Sequence, residues 1–106
     1  MVLAFASKWL RAVCEDHTQA EAEFGTAVSE LLRHRLADIT AASSPLDLVA
    51  GSPNLHRDGD REFMTVSLSS GYRLEFVANH PMNPRNDDGD VESNKVSRVK
   101  IFGIAR

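Results

Sequence analysis

A single cysteine in a chain of 106 residues excludes an internal disulfide. Cys14 falls on an apolar stripe at helical spacing, so it reads as core rather than as a nucleophile. Long apolar runs are missing as well. The opening Met1-Val2-Leu3-Ala4-Phe5-Ala6 is far too short to cross a bilayer, and no basic flank or cleavage pattern accompanies it, so a cytoplasmic protein is expected. An excess of positive charge is also absent. The formal charge of −3 argues against a surface that recruits nucleic acid over its whole area. The chain has no glycine-rich phosphate loop and no nucleophile elbow. His17, His34, His56 and His80 lack the paired spacing of a zinc site, and Asp87-Asp88-Gly89-Asp90 lacks the spacing and closing glutamate of an EF-hand. No metal and no cofactor are therefore expected, and the acidic run reads as a solvated loop.

What is present fits one soluble globular domain spanning residues 1–106. Hydrophobic residues make up 42% and charged residues 25%, which supports a packed core of modest size. Charge is unevenly distributed. Residues 1–53 carry Lys8, Arg11, Arg33 and Arg35 against seven acids, whereas residues 54–106 carry eight of each sign. Any basic surface is therefore a patch.

Hydrophobic periodicity divides the chain into a helical half and a strand half. Val2 to Phe5 reads as a short strand, and Ser7 as the N-cap of a short helix bearing Trp9, Leu10, Val13 and Cys14. After a polar break at Asp16-His17-Thr18, Phe24, Ala27, Val28, Leu31, Leu32, Leu36 and Ile39 recur at spacings of three and four, predicting a second, longer helix. Ser43-Ser44-Pro45 ends it, Leu46 to Val49 adds a turn, and Gly51-Ser52-Pro53 breaks the chain again. From Leu55 onward the period shortens. Met64, Val66 and Leu68 alternate with polar residues, Ser69-Ser70-Gly71 reads as a turn, and Tyr72, Leu74 and Phe76 share a face opposite Arg73, Glu75 and Val77. A polar loop from Asn79 to Asn94 precedes a last strand through Val96, Val99, Ile101 and Ile104. The expected fold is α+β: two N-terminal helices packed on a mostly antiparallel sheet of about four to five strands.

Several segments, taken in order, resemble one family. Phe24-Gly25 followed by Leu31-Leu32-Arg33-His34-Arg35-Leu36, then Ala41-Ala42-Ser43-Ser44-Pro45-Leu46-Asp47-Leu48, then Leu55-His56 leading into Gly59-Asp60-Arg61, and finally Tyr72-Arg73-Leu74-Glu75-Phe76 resemble the RelE/HigB toxins of bacterial toxin–antitoxin pairs. The resemblance covers nearly the whole chain and rests on the order and spacing of the pieces. It implies a growth-arresting toxin that cleaves messenger RNA on the ribosome without a metal and is neutralised by a helix-turn-helix antitoxin. In that reaction the 2′-hydroxyl attacks the adjacent phosphodiester and the 5′-oxygen leaves, which requires positioning, charge stabilisation and proton transfer.

The residues implied follow from that chemistry. Arg73 and Arg61 are the catalytic arginines, because a guanidinium forks onto two phosphate oxygens and keeps its charge. His56 matches the family histidine, a group that transfers protons near neutral pH. Arg57, Lys100 and Arg106 are the expected substrate-binding cations. Two departures from the family pattern bear on activity. Asp58 stands where many members have lysine, with Arg57 as its shifted substitute, and the chain ends Phe102-Gly103-Ile104-Ala105-Arg106 where many members end in Asp-Tyr-His. The residues themselves leave alternatives open. Arg61, between Asp60 and Glu62, suits a local ion pair as well as a phosphate contact. A catalytically degenerate relative that acts only by binding an antitoxin or another protein target such as gyrase is the second reading.

Overall fold

Capping side chains set the helix boundaries in the computed structural model of the chain, which describes residues 1–59 and 61–106. After strand β1 (Val2–Phe5), the Ser7 side chain accepts a hydrogen bond from the Leu10 amide at 3.1 Å and opens α1 (Lys8–Glu15). Asp16 then serves two helices. Its amide donates to Ala12 O, closing α1, while its carboxylate accepts from the Thr18 and Gln19 amides, opening α2 (His17–Phe24).

The single long helix expected after Asp16 is two helices. Gly25, at φ 86°, ends α2 and begins α3 (Thr26–Ala41). Positive φ is accessible to glycine without Cβ strain. Periodicity concealed this break, because Phe24 stands three and four residues before Ala27 and Val28, the spacing an unbroken helix would also give. Three helices therefore replace the expected two among the described residues.

The sheet has the order β1-β5-β4-β3-β2, built from β2 (Asn54–Asp58), β3 (Arg61–Ser67), β4 (Arg73–Ala78) and β5 (Arg98–Ala105) with β1. β1 pairs parallel to β5, and the other neighbours are antiparallel. The expected α+β architecture of helices followed by a mostly antiparallel sheet is what the chain adopts. The β3–β4 hairpin turns where expected: Ser70 and Gly71 both have positive φ, 60° and 78°, as a primed turn requires to match the strand twist. Leu46–Val49, expected to add a helical turn, lies at one turn of 3-10 helix over Pro45–Asp47.

The core lies between the helices and one face of the sheet. Val13, Val28, Leu32 and Ile39 meet Val66, Leu74, Phe76, Val99 and Ile101, all at most 2% exposed. Arg35 links α3 to the end of β3 by donating from Nε to Ser67 O at 3.1 Å. Gly51 makes room for it, since a Cβ there would lie 2.5 Å from Arg35 Nε. Cys14 packs against this core, and burial, with Glu15 beside it, pushes its thiol up to about 12. No described helix is long and apolar enough to cross a membrane.

The polar segment between β4 and β5 is organised by its own side chains. Asn86 Oδ1 accepts from the Asp88 and Asp90 amides at 3.0 Å each, and Arg85 donates to Gly89 O at 2.8 Å. His80 accepts from the Ser97 amide at 3.1 Å, tying the segment to the start of β5.

Candidate functional site

Strand alternation determines which charged residues meet. Successive side chains point to opposite faces, and the core residues Val66, Leu74, Phe76, Val99 and Ile101 define the helix-covered side. The intervening residues therefore belong to the open face: His56 and Asp58 on β2, Arg61, Phe63 and Thr65 on β3, Arg73, Glu75 and Val77 on β4, and Arg98, Lys100 and Phe102 on β5. Among the described residues, four cations thus share a face with two acids, in a chain whose formal charge is −3. Basic charge on this face is a patch, the only form that the overall composition allows.

One end of the face holds most of the candidate chemistry. Cross-strand pairing sets His56 opposite Phe63, and the two rings stack at 4.8 Å between centroids and 11° between planes. His56 Nε2 lies 2.9 Å from Thr65 Oγ1, a contact shielded from water because Thr65 is 6% exposed. Phe102 crosses Phe63 at 5.7 Å and 83°, and the Arg61 guanidinium lies 5.8 Å from the Phe102 centroid. Lys100, half-buried between Ala4 and Val77 on the adjoining strands, stands on the same face three strands from His56. Asp58 stands opposite Arg61 in the register. Asp60, the other acid expected beside Arg61, lies outside the described residues.

Arg73 occupies the other end. It stands opposite Ser67, six residues along β3 from Arg61, which at ~3.3 Å per residue is about 20 Å along the strand. At that separation the two arginines cannot grip one phosphate. Arg73 Nε lies 3.5 Å from Glu75 Oε2. With the Arg73 side chain 45% exposed, that pair is worth well under about 1 kcal/mol and leaves the guanidinium free to exchange partners. Glu75 is packed against Gly103, where a Cβ would lie 2.7 Å from Oε1.

Arg57 and Arg106 do not join this set. Arg57 stands opposite Glu62 on the helix-covered side, where it lies 3.5 Å from Glu62 and 3.8 Å from Asp90. Glu62 is mostly buried and also accepts from the Val91 amide at 3.3 Å, so Arg57 offsets a carboxylate that belongs to the fold. Arg106 follows Ala105, the residue opposite Arg73, and alternation carries it to the other side. There it lies 4.8 Å from the Tyr72 centroid and donates from Nε to Ser70 O.

Sequence reasoning did not single out Phe63, Thr65, Phe102, Glu75 or Arg98. A signal existed for two of them. Once Met64 and Val66 are assigned inward, Phe63 must point outward, and Val99 and Ile101 do the same for Phe102. An outward phenylalanine among polar and charged neighbours is the departure that marks a face.

No family model, no curated protein and no solved structure matches this chain.

Proposed function

We propose that this chain is a RelE/HigB-like toxin that binds messenger RNA along the open sheet face and cleaves it on the ribosome. The observation that carries the reading is the gathering of Arg61, Arg73, Arg98, Lys100 and His56 on one uncovered face of an acidic chain. Motif order, from Leu55-His56 through Tyr72-Arg73-Leu74-Glu75-Phe76, supplies the family. Acting on translating ribosomes, the protein works in the cytoplasm and is held inactive by a helix-turn-helix antitoxin.

On this reading the two ends of the face have different tasks. Arg61, two residues along the strands from His56, stabilises charge that grows on the scissile phosphate, and Lys100, three strands across the sheet from His56, holds a neighbouring phosphate. His56 transfers a proton between the 2′-hydroxyl or the leaving 5′-oxygen and solvent, with Nε2 oriented by Thr65 and Nδ1 left to the substrate. Arg73, about 20 Å along the strands, engages a phosphate further along the same RNA, which aligns the strand for in-line attack.

The test is induced expression in bacterial cells, with growth followed and messenger 5′ ends mapped, for the wild type, Arg61→Ala and Arg73→Ala. Growth arrest with new ends inside translated codons, lost or reduced at least tenfold in both variants, is the expected result. Soluble protein with normal growth and no new ends would sink the nuclease reading. One observation favours the second reading, a protein that acts by binding alone: Asp58 stands opposite Arg61 and would repel a phosphate there. Arrest without new ends, unchanged in Arg61→Ala, is its signature.

A further inference from the structure

Charge accounts for the arginines and lysine of the open face but not for its rings. His56, Phe63 and Phe102 form a continuous aromatic strip on the side of the sheet away from the core. His56 and Phe63 lie nearly parallel, 11° apart, so they already constitute a two-ring stack. β2 is an edge strand, and among the described residues no further strand stands beyond His56. The outer face of that imidazole is where a third ring continues the stack. Phe102, turned by 83° and overlain by Arg61, offers a second surface beside a cation.

We propose that this strip takes the unpaired bases of single-stranded RNA. One base extends the His56–Phe63 stack at the β2 edge, a neighbouring base meets Phe102, and Arg61, Lys100 and Arg98 hold the phosphates between and beyond them. The proposal rests on the RNA reading above and adds to it the form in which RNA is recognised. Every base has a π-face, so stacking on such a strip tolerates sequence, and it requires bases released from a duplex. Charge complementarity selects the occupant: among the described residues, four cations against two acids suit a polyanion, and alternating rings and cations suit one whose charges are interleaved with flat groups. His56 thereby gains a role separate from proton transfer, because stacking needs only its ring.

The experiment measures fluorescence anisotropy of a labelled single strand of about 12 nucleotides, of its annealed duplex, and of the single strand in competition with dextran sulfate. The proteins are the wild type, His56→Ala, His56→Phe, Phe63→Leu and, as a control on the distant exposed face of α3, Arg33→Ala, each checked for folding by thermal melting. The wild type should bind the single strand at least tenfold more tightly than the duplex. Phe63→Leu and His56→Ala should each weaken single-strand binding by about tenfold, the order expected for one lost stack, whereas His56→Phe and Arg33→Ala should hold it within about twofold. Equal affinity for single strand and duplex, indifference to Phe63→Leu and His56→Ala in folded protein, or no RNA binding at all would overturn the proposal. The nuclease reading fails separately. Ring-dependent binding without new messenger ends in cells sinks cleavage alone, and wild-type cleavage by Phe63→Leu sinks stacking alone. His56→Phe joins the two, since it should keep binding and lose cleavage.

Discussion

The two faces of the sheet are built from the same five strands and differ in almost everything else. Toward the helices stand Val66, Leu74, Phe76, Val99 and Ile101, buried to 1% exposure or less, with no charge among them. Away from the helices stand His56, Phe63 and Phe102 amid Arg61, Arg73, Arg98 and Lys100. Folding energy resides on the first face, where apolar area leaves water. Side chains that hold little folding energy occupy the second, and these can change partners at low cost. Residues one position apart on a strand therefore answer to different demands, and the same kind of substitution should have opposite consequences on the two faces.

The largest expected effect is on the covered face. Phe76→Ala should lower unfolding free energy by about 3–5 kcal/mol, read from chemical denaturation, because it empties a fully buried site. Arg61→Ala and Arg98→Ala, on the open face, should stay within about 0.5 kcal/mol of wild type in the same measurement. A loss above about 2 kcal/mol in either would mean that the open face belongs to the core after all.

Glycines divide in the same way. Gly25→Ala places a Cβ at φ 86° with no neighbour within 4 Å, so its cost is backbone strain of about 1–2 kcal/mol at the α2–α3 junction. Gly103→Ala, on β5, crowds only the Glu75 carboxylate, 2.7 Å from the new Cβ. It should displace Glu75 from Arg73 with a smaller loss of stability, and denaturation curves of the two variants compare the costs directly. Next comes Thr65→Val, expected to cost about 1 kcal/mol by leaving His56 Nε2 without its shielded partner. Chemical denaturation of this variant beside wild type measures that cost directly.

The last effect, absent at neutral pH, is a pH dependence from the helix-covered side. The Cys14 thiol is pushed up to about 12 from 9.0 by burial, so the folded chain keeps that proton where the unfolded chain loses it. Its contribution to stability is whole below pH 9 and falls as pH rises toward 12. Unfolding midpoints of wild type should therefore drop more steeply than those of Cys14→Ala between those values, and a parallel decline would show that the thiol does not contribute. Thiol reagents at pH 8 should react with folded protein far more slowly than with denatured protein.

Local chemistry made much of this molecule legible. The Ser7 cap, the change of period after Leu55, the Ser70-Gly71 turn and the outward aim of Arg73 each depend on a few consecutive residues, and each was readable from them. The junction at Gly25 was not, since a glycine between two helices can preserve the three-and-four spacing that a single helix would show. Nor was the fate of the five candidate cations and the one candidate histidine. Arg57 and His56 are adjacent in the chain, yet alternation sends them to opposite sides, and only the buried Glu62 against Arg57 shows what Arg57 does there.

From its sequence alone this protein is an α+β domain with an apolar stripe for each element, because periodicity and capping act within a turn or a strand. Which cations share a surface, how far Arg61 stands from Arg73 and which ring stacks on which are tertiary facts. They depend on strand order and register, and those are set by pairing between segments up to about a hundred residues apart, such as Val2 with Arg98.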